Sequence, residues 1–185
     1  MSNLIVVFGV SGVGKTTACR SFVTRNSEFA YITASEVLRR ATGLPVEQLR
    51  RSSKEEVLAN QKILTERLPD EITKHGAQFV LLDAQNIIDN GRDLIEVPVS
   101  ILEDLSPRGV IVLEADPNDV YARRNGDGRF RPSRTPEELS EQMNLIRRIA
   151  FQQAARLDIP CVVSRVTRSF EMDDCIQKLL SGPSA

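Results

Sequence analysis

Short apolar runs alternate with longer amphipathic stretches along most of the chain. Five runs of four or five residues carry almost no polar side chains, at 4–8, 29–32, 79–83, 110–113 and 160–163. Such runs predict strands that are buried on both faces, as in a parallel sheet. The stretches between them predict helices, at about 17–24, 35–41, 53–74, 117–125, 136–157 and 170–180. Because strands and helices alternate, we expect an α/β fold with right-handed crossovers and helices on both faces of the sheet.

The first apolar run leads directly into a glycine-rich loop that predicts phosphate binding. Residues 9–16 match the pattern G-x-x-x-x-G-K-[ST], between a predicted strand and a predicted helix. The glycines let backbone N–H groups point at an anion, Lys15 can reach the β- and γ-phosphates, and the Thr16 hydroxyl can bind Mg²⁺. The loop therefore predicts a nucleoside triphosphate site, built by Gly9, Gly12, Val13, Gly14, Lys15, Thr16 and Thr17.

Composition and charge narrow the class of protein. The 185 residues suffice for a single domain over 1–185, and 41% hydrophobic with 26% charged residues is typical of a soluble globular protein. The net charge of −1 argues against a surface built to bind nucleic acid. No stretch approaches the about 18 apolar residues that a membrane span needs. Three cysteines without a C-x-x-C pair favour reduced thiols in the cytoplasm. Composition leaves the oligomeric state open.

The third apolar run ends in a carboxylate, Asp83. P-loop proteins place a magnesium-binding aspartate at the end of such a strand. Thr16 and Asp83 are therefore the candidate metal ligands, although a turn-forming aspartate would give the same pattern.

Arginines are concentrated between residues 123 and 134, which we call the arginine segment. Guanidinium groups pair bidentately with phosphate oxygens and neutralise a transferring phosphoryl group. Beside a P-loop, the pattern favours a flap that closes over phosphates; a solvated loop or a nucleic-acid contact are the alternatives. Arg147 and Arg148, on the next predicted helix, point about 100° apart, so only one of them can face the same site. The segment contains Arg123, Arg124, Arg129, Arg131 and Arg134.

These features together resemble the nucleoside monophosphate kinases, and most of the chain is similar to the archaeal-type adenylate kinases. The similar parts are the P-loop, Ile-Thr-Ala-Ser-Glu-Val-Leu-Arg at 32–39, Leu-Ser-Pro at 105–107 and the arginine segment. The resemblance implies a three-layer P-loop NTPase fold with a five-stranded parallel sheet in the order 2-3-1-4-5. It also implies a small acceptor-binding subdomain over about 34–74, a short lid over about 125–135, and ATP and Mg²⁺ as cofactors.

The same resemblance implies roles for individual residues. On the acceptor side, Ser35 starts a helix and Arg39 holds the acceptor phosphate, with Arg50 and Gln85 as further substrate-binding residues. On the donor side, Arg123 binds ATP. The residues implied in catalysis are Lys15, Arg124, Arg129 and Arg148. Adenylate kinases carry Gly-Phe-Pro-Arg or a Thr-His-Ser-like run after the strand-3 aspartate, whereas this chain has Ala-Gln-Asn at 84–86, so the acceptor base is left unassigned.

Three functions are consistent with these residues. The first is transfer of the ATP γ-phosphoryl group to AMP or a related monophosphate, a small-molecule acceptor. The second is a kinase of a small-molecule hydroxyl, with Asp83 as the base. The third is a regulatory ATPase that acts through a partner. A GTPase is not favoured, because the chain has no Asn-Lys-x-Asp motif.

Overall fold

A five-stranded parallel sheet forms the centre of the protein in the computed structural model, which describes residues 3–126, 128 and 131–181. The sheet order is β2-β3-β1-β6-β7, and all neighbouring strands are parallel. The predicted α/β class is confirmed. The predicted order 2-3-1-4-5 is the order of this sheet when only its own five strands are numbered. The last two are β6 and β7 in the whole chain because a separate hairpin, β4–β5, precedes them. The strands are β1 (Leu4–Phe8), β2 (Phe29–Thr33), β3 (Phe79–Asp83), β4 (Ile87–Asp89), β5 (Leu94–Glu96), β6 (Gly109–Glu114) and β7 (Cys161–Arg165).

The helices flank this sheet, and most of them begin and end close to the predicted positions. Two short helices, of five and seven residues, have no counterpart in the sequence pattern. Among the described residues, none of the helices is long and apolar enough to cross a membrane. The helices are α1 (Lys15–Arg25), α2 (Ala34–Thr42), α3 (Val46–Arg50), α4 (Lys54–His75), α5 (Val99–Leu105), α6 (Pro117–Gly126), α7 (Pro136–Leu157) and α8 (Asp173–Leu180).

The two longest helices begin at sequence-encoded caps. Ser53 accepts a hydrogen bond from the backbone N–H of Glu56, and the Glu56 side chain accepts one from the Ser53 N–H. Thr135 and Glu138 form the same capping box ahead of α7. These reciprocal bonds satisfy backbone donors that a helix start leaves unpaired. The predicted starts, at about 53 and at 136, agree with those of α4 and α7 within one residue.

The core is centred on β1, which is buried along its whole length. As the middle strand it is covered on both faces, so all five of its side chains are apolar. Its carboxyl end leads into the P-loop, and β3 ends beside it at Asp83, with Val7 paired to Asp83 in the register. The candidate chemistry therefore lies at the carboxyl edge of the sheet, where ligands bind in open α/β folds.

The β4–β5 hairpin projects from the same edge and was not predicted, because three-residue strands show no readable alternation. Its turn is closed by Asn90, whose side-chain oxygen accepts from the backbone N–H groups of Arg92 and Asp93. Two buried amides anchor the base of the hairpin to α7. Asn86 donates to the Ile146 carbonyl at 2.9 Å, and Gln153 donates to the Val97 carbonyl at 2.9 Å.

Candidate active site

The P-loop requires glycine where it passes closest to the sheet. Gly9 has a φ of 148°, and a Cβ there would lie 2.5 Å from the carbonyl oxygen of Leu113 on β6. Gly12 has a φ of 88°, and its Cβ would lie 3.1 Å from Cγ of Arg124. The backbone can adopt this left-handed path, packed against β6 and α6, because these residues lack side chains.

Lys15 lies inside the loop rather than in solvent, with 7% of its surface exposed. Its ammonium group donates to the carbonyl oxygens of Gly9 at 2.6 Å and Val10 at 3.4 Å. The same Nζ atom lies 3.6 Å from Oδ1 of Asp83. The cation is thus held at the mouth of a loop whose geometry suits phosphate oxygens.

Asp83, at the end of β3, lies beside Lys15 and Thr16 of the P-loop. Its Oδ2 accepts from the Thr16 hydroxyl at 3.4 Å and from the Tyr31 phenol at 2.9 Å. A hydroxyl and a carboxylate beside a phosphate-binding loop are the hard oxygen donors that Mg²⁺ takes, so the residues present fit the ion. The structure brings together both candidate metal ligands, which lie 67 positions apart in sequence.

Tyr31 is a residue at this site that the sequence pattern did not single out. Burial, followed by the charge of Asp83, raises the pKa of its phenol well above the usual range. A phenol is protonated at neutral pH in any case, so Tyr31 is the hydrogen-bond donor to Asp83. The sequence offers no signal for this contact, because it depends on the register in which β2 pairs with β3.

Two arginines from the end of α6 contact the P-loop backbone. Arg123 donates to the Val13 carbonyl at 3.0 Å, and Arg124 donates to the Ser11 carbonyl at 2.8 Å. Burial, together with the nearby positive charges of Arg131, Arg134 and Arg50, lowers the pKa of Arg124 to about 10. Arg124 still carries its charge at neutral pH. Arg123 and Arg124 therefore place positive charge beside the P-loop, which favours an anionic ligand.

Comparison with known proteins agrees with this geometry. Residues 8–140 match the protein family described as an AAA domain. The chain belongs to this family. Among curated relatives, it is 28% identical to an adenylate kinase homolog of Methanothermobacter thermautotrophicus over 167 residues, covering 83% of this chain and 79% of the relative. It is 25% identical to an adenylate kinase of Methanococcus vannielii over 193 residues, covering 97% of each. The resemblance to archaeal-type adenylate kinases is confirmed.

Solved structures show the same fold as this AAA domain. TT1252 from Thermus thermophilus matches with a TM-score of 0.55 at 14% identity, covering 100% of this chain and 99% of the other. A shikimate kinase from Bacteroides thetaiotaomicron matches with a TM-score of 0.54 at 15% identity, covering 96% and 98%. At these identities the matches establish the fold alone.

The residues predicted to bind the acceptor are less closely grouped in the AAA domain than its P-loop residues. Arg39 is exposed and makes a bidentate pair with Glu36, at 2.9 and 2.7 Å, and this pair lowers the pKa of Glu36 to about 2. Ser35 is exposed beside Thr33, and no hydrogen bond or ion pair of the described residues joins Ser35 or Arg39 to the P-loop. Arg50 is half-buried and close enough to influence Arg124. Gln85 is half-buried two residues after the end of β3, and it lines a partly open cavity with Gln61 and Asn86.

The two adjacent arginines of α7 have different surroundings. Arg147 is half-buried, and its guanidinium lies 3.2 Å from the Glu114 carboxylate at the end of β6. Arg148, the residue implied by the resemblance, is exposed and makes no ion pair with the described part of the chain. The structure thus places Arg147 at the edge of the sheet that carries the P-loop. The predicted catalytic Arg129 lies outside the described residues.

An ion pair connects the hairpin to the arginine segment. Asp89 on β4 accepts from Arg134 through both carboxylate oxygens, at 3.1 and 2.9 Å, and their side chains are only 7% and 20% exposed. This pairing raises the pKa of Arg134. On the other side of the hairpin, Asn90 donates to the Ser52 carbonyl at 3.2 Å. The hairpin therefore bridges the start of α4 and the arginine segment.

We expect Asp89→Asn to lower the free energy of unfolding by about 2 kcal/mol, because a largely buried guanidinium loses its bidentate carboxylate and keeps only Glu138, at 3.7 Å, as a counter-charge. Urea denaturation measures the change, and Asp93→Asn in the exposed turn of the same hairpin is the matched control. The double variant Asp89→Asn/Arg134→Gln should lose less than the sum of the single losses. Additive losses would show that the two side chains do not stabilise the protein as a pair.

Proposed function

We propose that this AAA domain is a kinase that uses ATP and Mg²⁺ and transfers the γ-phosphoryl group to the phosphate of a nucleoside monophosphate, AMP or a related one. The observation that carries the proposal is the group of arginines beside the P-loop, where Arg123 and Arg124 donate to loop carbonyls. The positive charge of Arg50, at the end of α3, also acts on Arg124, and the opposing charge of Asp89 acts on it more strongly. A donor phosphate and an acceptor phosphate could both bind within one cluster of cations.

The chemistry of such a transfer suits the groups at this site. A nucleoside monophosphate is already anionic, with a second phosphate pKa near 6, so no general base is needed. An acceptor phosphate oxygen forms the new bond to the γ-phosphorus, and the bridging oxygen of ATP leaves with the electron pair. Catalysis then consists of positioning and charge neutralisation, supplied by Lys15, Arg123 and Arg124.

Magnesium and the remaining predicted residues have defined places in this proposal. Thr16 and Asp83 would hold Mg²⁺, which supplies positive charge to the phosphate oxygens of ATP. On the acceptor side, Arg50 would contact the acceptor phosphate, and Arg39 would join it by exchanging its bond to Glu36 for one to phosphate. Ser35 and Gln85 would line the acceptor site. Arg129 and Arg148 remain proposed contacts of the transferring phosphate.

A second candidate function is phosphorylation of a small-molecule hydroxyl. The pairing of Arg39 with Glu36 favours it, because a monophosphate has to compete with a bidentate carboxylate for that guanidinium. In this case Asp83 would take the proton of the acceptor hydroxyl.

A coupled assay with ATP, Mg²⁺ and a panel of acceptors distinguishes the two functions. We expect turnover with at least one of AMP, CMP, UMP, GMP and dTMP. Arg50→Gln should then raise the acceptor KM by about tenfold or more, because it removes a charged contact, and should leave the ATP KM unchanged. Arg67→Gln, at an exposed position on α4, is the matched control.

Two results would contradict the monophosphate kinase. Turnover with sugars or other small alcohols, and with none of the monophosphates, would establish the hydroxyl kinase. ATP hydrolysis that no added acceptor changes would instead favour a regulatory ATPase.

A further inference from the structure

The phenol of Tyr31 makes a contact that the proposed transfer does not use. Tyr31 lies on the edge strand β2 with Leu81 as its register partner, and its hydroxyl reaches two residues further along β3 to Asp83. Diagonal contacts of this kind between neighbouring strands are within reach of an aromatic side chain. The guanidinium carbon of Arg20, from α1, lies 5.9 Å from the ring centroid and covers one face of the ring. The hydroxyl is therefore aimed at the carboxylate by both β2 and α1.

The two oxygens of Asp83 are engaged on different sides. Oδ1 lies 3.6 Å from Nζ of Lys15, while Oδ2 accepts from Thr16 and Tyr31. The terminal torsion of an aspartate is broad, so a carboxylate without fixed partners rotates easily. Rotation here would take Oδ2 away from Thr16, the other candidate Mg²⁺ ligand.

We propose that Tyr31 is a positioning residue whose phenolic O–H holds Oδ2 of Asp83 on the Thr16 side, in the orientation that receives Mg²⁺ together with a bound nucleotide. The inference rests on the Mg²⁺-dependent donor site of the proposed function and is independent of the acceptor. Tyr31 itself touches neither the metal nor the phosphate in this proposal; it acts through the carboxylate.

Calorimetric titration with the non-hydrolysable ATP analogue AMP-PNP, with and without Mg²⁺, tests the proposal. The ratio of the two Kd values measures the gain in affinity that Mg²⁺ provides. Tyr31→Phe keeps the ring and removes the donor, and we expect it to reduce this gain about tenfold while leaving the Mg²⁺-free affinity unchanged. Tyr121→Phe, at an exposed position on α6, should behave like the wild type.

The chain also allows the hydrogen bond to be observed directly. It has two tyrosines and no tryptophan, so in Tyr121→Phe the emission comes from Tyr31 alone. A phenol that donates to a carboxylate has quenched fluorescence. Adding Asp83→Asn to Tyr121→Phe should therefore raise the emission of Tyr31.

Four outcomes would overturn the proposal, and they are distinguishable. If Mg²⁺ increases the affinity for AMP-PNP equally in the wild type and in Tyr31→Phe, the role of Tyr31 is overturned and the donor site is not. An equal loss of Mg²⁺-free affinity, or emission that Asp83→Asn leaves unchanged, would indicate that Tyr31 does not act through the carboxylate. A wild-type protein without any Mg²⁺ gain would overturn the donor site itself, and this inference with it.

Discussion

Lys15→Met is expected to lower kcat by about 10²- to 10³-fold while the protein stays folded. Lys15 is the one lysine described at the P-loop, and it is held there by the Gly9 and Val10 carbonyls and by Asp83. Methionine has nearly the same length and is apolar, so it fills the buried position without the charge. The transferring phosphoryl group then loses an ammonium that is already oriented before the reaction. Initial rates at saturating ATP and acceptor measure the effect.

The control for this variant is Lys178→Met, which removes an exposed lysine from α8 without touching the P-loop. Its kcat should equal that of the wild type. If Lys15→Met changed only the KM for ATP, the ammonium would bind ground state and transition state equally, and its proposed role in neutralising the transferring group would be wrong.

Gly9→Ala is expected to lower the free energy of unfolding by about 3 kcal/mol and to weaken nucleotide binding. The added Cβ would lie 2.5 Å from the Leu113 carbonyl oxygen, and this oxygen belongs to the backbone of a central strand that cannot move aside cheaply. The P-loop must shift instead, and its N–H groups then no longer converge on one anion. Urea denaturation and AMP-PNP titration measure the two effects.

Gly76→Ala separates the cost of backbone conformation from the cost of overlap. Gly76 also has a positive φ, of 60°, but a Cβ there meets nothing within 4 Å. Its substitution should cost about 1 kcal/mol, the usual penalty for alanine in a left-handed conformation. Equal losses in the two variants would show that the contact with Leu113 is not what requires glycine at position 9.

The P-loop and the strands around it could be predicted because their signals are local. An apolar run such as 4–8 indicates a strand that is covered on both faces. The residues that form the P-loop, Gly9 to Thr17, follow one another directly in the chain. The capping boxes at Ser53 and Thr135 likewise act within one turn of helix. Each of these features depends on neighbours in sequence, which is why a single chain suffices to read them.

The contacts around the P-loop depend instead on register and packing. Tyr31 meets Asp83 because β2 pairs with β3 in one particular register, and the pattern of apolar residues does not specify which polar side chains then share a face. Asp89 meets Arg134 through a hairpin whose strands are too short to predict. The rotation of α7 about its axis places Arg147, rather than Arg148, beside Glu114.

The sequence by itself determined the α/β class, the phosphate-binding loop and the candidate Mg²⁺ ligands Thr16 and Asp83. Only the tertiary structure decided which groups surround that loop: Tyr31 on the carboxylate, Arg123 and Arg124 on the loop backbone, and Asp89 on Arg134. The physical reason is that a loop conformation is encoded by adjacent residues. The orientation of a carboxylate or a guanidinium is set by partners that folding brings together from 45 to 113 positions away.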